Sequence, residues 1–272
     1  DQILEVAGEP MATARDVQTF GNADLILYSG YTLEGQLADI LDRLGRRSPT
    51  LAVSEAAIPQ SDLVTTDDSY GIDPHIWMDV SLWSRTVPVI AVALAEQAPD
   101  CADAITGRAA TYETQLLALH DWVRATLTTI PQPRRVLVTA HDAFAYFGRA
   151  YGIEVAGIQG ISTAAEASIA DIRETADLLV ERAIPAIFVE STINPRTIQA
   201  VIDAAARQGH AVTIGGELFA DPPDDPGRQI QSDGAFGTWG HRFVPRHLEL
   251  VAVLRMAGPD SLHADGFAAC QK

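Results

Sequence analysis

The chain has 272 residues, of which 47% are hydrophobic and 20% are charged, and its formal net charge is −17. This composition is typical of a folded protein with one large or two small domains, and it argues against disorder. The acidic balance argues against a nucleic-acid partner, which needs a basic surface, and no apolar run is long enough to cross a membrane. If the protein is exported, we expect this chain to be the processed form, without its signal peptide.

In the first hundred residues, strand-like and helix-like segments alternate. Short apolar runs predict buried parallel strands, and apolar residues at helical spacing predict the helices between them. Asp79 or Ser81 should cap the last of these helices, and Pro88 should kink it or end its first part. The predicted elements are a strand over 22–30, a helix over 33–44, a strand over 50–54 and a helix over 79–98.

The segment 101–129 predicts one long helix, because it has no proline and no glycine after Gly107. At 1.5 Å per residue such a helix is about 40 Å long, which exceeds the width of a small domain. Pro131 and Pro133 should end it.

After the long helix, the alternation of strands and helices starts again. Thr163 and Glu166 form a capping-box pattern at one helix start, and Asn194 followed by Pro195 marks another. The predicted elements are strands over 135–139, 154–158, 186–189 and 211–215, and helices over 142–151, 163–183, from 195 onwards and over 243–256.

This order of elements predicts an α/β protein with two lobes, in which parallel sheets are flanked by helices. One long rigid helix should join the lobes. We assign residues 1–100 to an N-terminal lobe, 101–131 to the linking helix and 132–272 to a C-terminal lobe.

Cys101 and Cys270 are the two cysteines of the chain, and their spacing does not match a metal-binding motif. In an oxidising compartment they could form a disulfide bond. Two unrelated buried thiols are the alternative.

Two histidines lie in distinctive settings. His75 lies in the segment DPHIWMD, and His141 lies in VLVTAHDAFAYF. Both are placed where strand-like or loop-like sequence passes into helix-like sequence, which is where α/β proteins present side chains to a cleft. Two imidazoles from separate halves of a protein indicate a transition-metal site, and zinc favours imidazole and carboxylate ligands in a tetrahedron.

A third ligand should come from the end of another strand. Asp221 is the best candidate, and Glu217 and Glu190 are rivals. Each candidate also has an ordinary structural interpretation. A lone histidine is more often a capping or core residue, Asp142 could cap the helix beside His141, and Asp221 could begin a turn. The other five histidines are interpreted as ordinary.

Several segments, in this order, resemble the zinc/manganese substrate-binding proteins of bacterial ABC transporters, the TroA/ZnuA type. The resemblance covers most of residues 12–258, and its most specific part is DPHIW followed by TAHDAFAYF and then GGELFAD. The matching segments are 22–41, 54–59, 73–84, 134–168, 185–191 and 209–222.

The resemblance implies a periplasmic receptor, not an enzyme, that binds one metal ion between its lobes and delivers it to an ABC transporter permease. It implies His75, His141 and Asp221 as ligands, and it is compatible with a monomer and with a metal chaperone as a further partner. Histidine at position 141 is similar to the zinc-preferring members of the family, whereas manganese members tend to have glutamate there; zinc is therefore expected over manganese. Glu190 is a candidate to orient one ligating imidazole.

One departure from the family pattern concerns a further histidine, which the family has in a Pro-His segment before the part matching residues 13–17. No histidine precedes His75 here. Either the chain lacks this segment, which leaves a three-ligand open site, or residues are omitted near Gly8–Met11. We favour the second explanation, because loss of a strand from a parallel sheet would leave backbone groups without partners.

Two other functions are weaker hypotheses. Two histidines, one aspartate and an open position could form a zinc-dependent hydrolase, with Glu190 or Glu217 as general base, but no HExxH motif is present. A sugar or amino-acid receptor would use aromatic platforms, and only 7% of the residues are aromatic.

Overall fold

The structure, a computed structural model, describes residues 18, 20–31, 33–66, 71–161, 167–190, 195–218 and 252–254. The strands are β1 (Leu25–Tyr28), β2 (Thr50–Ala52), β3 (Val136–His141), β4 (Glu154–Gln159), β5 (Ala186–Glu190), β6 (Thr213–Leu218) and β7 (Ala252–Leu254). The α-helices are α1 (Ala38–Gly45), α2 (Val53–Ala57), α3 (Val80–Ser84), α4 (Thr86–Gln97), α5 (Ala102–Thr128), α6 (Ala145–Tyr151), α7 (Ile169–Glu181) and α8 (Pro195–Arg207). Two α/β lobes joined by one long helix are confirmed.

The first lobe is built around a sheet with the strand order β2-β1-β7. β1 is parallel to β2, and its two faces are both covered by apolar side chains. Leu25 and Leu27 pack towards α2 and α4, whereas Ile26 packs against Phe20 and α1. This burial on both faces explains why the strand is a continuous apolar run and not an alternating one.

The end of the described chain differs from the sequence predictions. A helix was predicted over 243–256 and the sheets were predicted to be parallel, but Ala252–Leu254 form a strand that runs antiparallel to β1. The pairing provides hydrogen-bond partners for backbone groups along the second edge of β1. Because these partners are far away in sequence, the local spacing of apolar residues does not reveal them. The pairing also attaches residues numbered within the predicted C-terminal lobe to the first sheet. The lobe boundaries themselves remain a prediction.

The helix predicted over 79–98 is divided into α3 and α4 at Arg85. Pro88 is the cause, because its ring would clash with the carbonyl of Ser84 in a continuous helix. Asp79 caps α3 as predicted, and its carboxylate accepts the N–H of Ser81 at 3.0 Å and that of Leu82 at 3.4 Å.

The long helix is confirmed as α5, which runs unbroken for 27 residues. α3 and α4 pack against it from the first lobe, and α6 packs against it from the second. Leu116 and His120 are its buried residues, so the helix lies along the surface of both lobes. Within the described chain, no helix has the length and apolar character needed to cross a bilayer.

In the second lobe, β3 pairs in parallel with β4 and β5 pairs in parallel with β6. β3 also lies beside β5, and helices α7 and α8 cover the strands. One apolar cluster fills the space between these layers; its largest buried members include Val138, Ile158, Leu179, Ile187 and Val201.

Two helices of this lobe start later than predicted. α6 begins at Ala145 instead of Asp142, and α7 begins at Ile169 instead of Thr163. Ser168 is the N-cap of α7, and its side chain and that of Asp171 form the reciprocal capping box. Residues 162–166, including Thr163 and Glu166, lie outside the described residues. Cys270 also lies outside them, so its pairing with Cys101 stays a prediction.

Candidate metal site

His75 lies in a turn that leads into α3. The N–H of Asp73 donates to the carbonyl of Val64 at 2.9 Å, which fixes the start of this turn. Oδ1 of Asp73 accepts the backbone N–H of His75 at 2.9 Å and lies 2.7 Å from its ring Nδ1. Because a carboxylate only accepts, this contact favours the hydrogen on Nδ1, and the neutral ring then has its lone pair on Nε2. The turn therefore fixes both the orientation and the tautomer of the ring.

His141 is the last residue of β3, and Glu190 is the last residue of the neighbouring β5. Oε1 of Glu190 accepts the N–H of Ala140 at 2.9 Å and that of His141 at 3.1 Å. Oε2 lies 2.5 Å from Nδ1 of His141, a close contact without good hydrogen-bond alignment. The carboxylate favours a hydrogen on Nδ1 and so leaves Nε2 available here as well.

The two imidazoles converge. The centroids of the His75 and His141 rings are 5.6 Å apart, and the ring planes are inclined at 66°. A tetrahedral zinc ion at 2.0–2.1 Å from one nitrogen of each ring would place the ring centres about 5 Å apart. The observed separation therefore fits a shared ion with little adjustment.

The charge around the two rings also fits a cation. His75, His141, Asp73 and Glu190 are each at most 5% exposed. Among the described residues, Asp73 makes its charged contact with His75 and Glu190 makes its charged contact with His141. Within the same residues, Oδ2 of Asp73 accepts no hydrogen bond. Neutral imidazoles would leave two buried negative charges, which is costly without compensation. A divalent ion would balance that charge.

Asp221, the expected third ligand, lies outside the described residues, as does the whole range 219–251. Within the described ranges, no group of three His, Cys, Asp or Glu side chains could hold a metal ion. Glu217 is exposed on β6, whereas Glu190 lies behind His141 on the Nδ1 side. Neither rival therefore completes a three-residue metal cluster with the two histidines among the described residues.

Two residues of the site were not identified as functional from the sequence. Asp73 lies in the DPHIWMD segment, and an acidic residue two positions before a histidine in a turn is a usable signal for such a role. Gly157 on β4 could not be identified from the sequence, because its role is to let the backbone of His141 and Asp142 approach β4 closely. A Cβ at this position would lie 2.5 Å from the nitrogen of Asp142 and 2.7 Å from the carbonyl carbon of His141.

Two further predictions for this region can be checked. Asp142 does not cap α6, because Phe144 is the N-cap residue and makes no side-chain capping bond. His120 and His210 have structural partners, in Tyr151 and in the carbonyl of Ile184. His241, His247 and His263 lie outside the described residues, as does the segment near 8–11 where a further histidine was considered.

A family model and several known proteins are similar to this chain. The family model described as "Zinc-uptake complex component A periplasmic" matches residues 9–232. The zinc-binding protein TroA of Treponema pallidum is 46% identical over 79% of this chain and 70% of its own length. The manganese-binding lipoprotein MntA of Bacillus subtilis is 41% identical over the same shares. The solved structure of the T. pallidum protein, titled a periplasmic zinc-binding protein, superposes with a TM-score of 0.75 over 79% of this chain and 77% of that chain.

The chain therefore belongs to the family of metal-binding receptors that serve ABC-type uptake systems. Members of this family are transport proteins and not enzymes, so the hydrolase alternative is not supported. The relatives include a zinc-binding and a manganese-binding protein, so the family fixes a metal ion as cargo without fixing which metal.

Proposed function

We propose that this protein captures one zinc ion with His75, His141 and Asp221 and delivers it to an ABC transporter permease. The observation that carries the proposal is the convergence of two buried imidazoles, 5.6 Å apart, that come from different lobes. Each ring has its Nδ1 against a buried carboxylate, so the neutral form of each ring would have Nε2 available to bind an ion. Glu190 and Asp73 act as orienting partners in this proposal and do not bind the ion directly.

Asp221 is proposed as the third ligand because it follows shortly after β6, which ends beside Glu190. Leu218 lies opposite Glu190 in the parallel β5–β6 pair, so β6 ends at the same sheet edge as the carboxylate behind His141. Three further residues span at most about 10 Å. A carboxylate at position 221 would add negative charge and complete three protein ligands.

Zinc is proposed over manganese because the two described ligands are imidazoles. Imidazole suits zinc, whereas manganese favours carboxylate, carbonyl and water oxygens. Because protons compete with the metal for imidazole nitrogen, zinc affinity should fall as the pH is lowered.

We further propose that the protein works outside the cytoplasm, in the periplasm, as a monomer that presents its loaded ion to the permease, and that a metal chaperone is a further partner. An oxidising compartment would allow the proposed disulfide between Cys101 and Cys270.

The proposal is tested by measuring zinc and manganese affinities of the purified protein by competition with a chelator. The parent should bind one zinc ion per chain and should prefer zinc to manganese. His75→Ala and Asp221→Ala should each weaken zinc binding by about tenfold or more, because each removes a direct ligand.

Asp224→Ala is the matched control for Asp221, because it removes an aspartate from the same Pro-rich segment. The control should bind zinc like the parent. Unchanged affinity in Asp221→Ala would remove that residue from the site, and a parent that binds no metal would overturn the proposed function.

A further inference from the structure

The side chain of Tyr146 crosses from one lobe to the other. Tyr146 belongs to α6 of the second lobe, five residues after His141, yet it is fully buried among residues of the first lobe. Its ring packs in a cluster with Ile58, Leu63, Ile76 and Leu82. Within that cluster, Tyr146 is the one described residue that comes from the second lobe.

The hydroxyl of Tyr146 is inserted between two backbone segments of the first lobe. The N–H of Asp73 donates to the carbonyl of Val64 at 2.9 Å, as in one half of an antiparallel pair. In a regular pair the N–H of Val64 would donate back to the carbonyl of Asp73. Here the N–H of Val64 donates to the Tyr146 hydroxyl at 3.1 Å, and that hydroxyl donates to the carbonyl of Asp73 at 2.8 Å.

Two features favour a fixed position of the Tyr146 side chain between the two segments. Burial raises the pKa of Tyr146 to about 12, so the hydroxyl keeps its proton at neutral pH and remains a donor. One turn further along α6, Arg149 lies over the Tyr146 ring at 5.0 Å and donates to the carbonyl of Asp62 at 2.6 Å. The hydroxyl of Tyr146 is therefore held by Val64 and Asp73, and its ring lies under Arg149. A shift of α6 would strain these contacts with the segment that contains Asp73.

Asp73 connects this contact to His75. The carbonyl of Asp73 is held by Tyr146, and its carboxylate holds the backbone N–H and the ring Nδ1 of His75. The same α6 follows directly from the loop after His141. One path from one imidazole to the other therefore runs through the hydroxyl of Tyr146.

We propose that Tyr146 is a positioning residue for metal capture, which sets the place of His75 relative to His141 by holding Asp73 from the opposite lobe. The inference rests on the proposed function, because its main measurement is zinc affinity. Ligand geometry must be held within about 0.5 Å for tight binding, so a small relaxation of Asp73 is enough to weaken it.

The first test is Tyr146→Phe, which removes the hydroxyl and keeps the ring. We expect zinc affinity to fall by about 3–10-fold, since Asp73 and Val64 lose the group that holds them. Tyr151→Phe is the matched control. It removes another buried tyrosine hydroxyl from the same helix, one that lies 3.1 Å from Nδ1 of His120 and bonds to the backbone of Val80 in the first lobe, but not to Asp73. The control should change zinc affinity by less than about twofold.

A double-mutant cycle tests whether Tyr146 acts through Asp73. In an Asp73→Asn background the orienting carboxylate is already lost, so adding Tyr146→Phe should weaken zinc binding by less than about twofold. A penalty equal to that in the parent background would show that Tyr146 acts by another route, and the inference would be overturned.

A measurement on the metal-free protein separates positioning from general stability. Nitrogen chemical shifts of the His75 ring should report hydrogen on Nδ1 in the parent and in Tyr151→Phe, and a mixture of tautomers in Tyr146→Phe. A parent that binds no zinc would refute the proposed function alone. A parent that binds zinc while Tyr146→Phe matches it in both affinity and tautomer would refute the role of Tyr146.

Discussion

The two halves of the candidate site use the same chemical arrangement but build it in different ways. In the first lobe, the carboxylate that orients His75 comes from Asp73, two residues earlier in the chain. In the second lobe, the carboxylate beside His141 comes from Glu190, on a neighbouring strand 49 residues later. The first arrangement is a local turn, whereas the second depends on two strands lying side by side.

This difference shows what each half requires from the rest of the protein. The His75 turn is defined by short-range hydrogen bonds, and it needs the other lobe only for its placement. The His141 arrangement needs the packing of β3 beside β5 before its carboxylate can reach the ring at all. The His75 half is therefore most sensitive to changes that move it relative to the other lobe. The His141 half is most sensitive to changes in the packing of β3 and β5.

The largest expected effect comes from removing the orienting carboxylates. Asp73→Asn and Glu190→Gln replace an acceptor with a side chain whose amide can donate to Nδ1, which favours hydrogen on Nε2, the nitrogen needed for the ion. Each variant should weaken zinc binding by about 10–100-fold. Chelator competition measures the loss.

Asp39→Asn, at an exposed position in the first turn of α1, is the control for removing one negative charge and should leave affinity unchanged. If only one of the two carboxylate variants loses affinity, the two halves are not equivalent in function despite their similar chemistry.

A smaller effect is expected from Gly157→Ala, which tests the packing of the second half alone. The added methyl group would meet the backbone of His141 and Asp142 at 2.5–2.8 Å, so β3 and its loop would have to move. We expect a loss of about 1–3 kcal/mol in the free energy of unfolding and a several-fold loss of zinc affinity. Denaturant unfolding and zinc titration measure the two quantities.

Gly107→Ala provides the opposite control. A Cβ at Gly107 in α5 meets nothing within 4 Å, so alanine should stabilise this helix by about 0.5–1 kcal/mol without changing zinc affinity. Equal stability and affinity in Gly157→Ala and the parent would mean that the loop after β3 tolerates displacement.

Glu34→Gln should have effectively no effect on zinc binding, which is the smallest effect expected. Glu34 is a second carboxylate of the first lobe that is held by backbone groups close to it in sequence. Glu34 accepts the N–H of Ser29 at 2.7 Å and that of Gly30 at 3.0 Å, but it orients no histidine. Burial raises the pKa of Glu34 to about 7, although these backbone N–H groups partly oppose the rise.

The raised pKa gives a stability prediction with a definite sign. Because the folded protein holds the proton more tightly than the unfolded chain, the stabilising contribution is complete below about pH 4.5 and is lost as the pH rises through about 7. Between pH 5 and 8, the parent should lose up to about 3 kcal/mol of unfolding free energy relative to Glu34→Gln. Denaturant unfolding of both proteins across this range checks it, and parallel curves would contradict it.

Local signals in the sequence were sufficient for much of the fold. The division of one helix before Pro88, the Asp79 cap, the uninterrupted helix after Cys101 and the Pro195 helix start all follow from backbone sterics or capping within a few residues. The segments containing His75 and His141 were also identifiable, because the flanking motifs are long and occur in a fixed order.

The alternation of strands and helices and the two imidazoles can be predicted from the chain, because they depend on periodicity and on short motifs. Four features appear only in the folded molecule: β7 joins the first sheet, Glu190 contacts His141, Gly157 packs where a side chain would not fit, and Tyr146 holds Asp73. The physical reason is the same in each case. These contacts join residues far apart in sequence, and each depends on the close packing of elements whose separation no local pattern encodes.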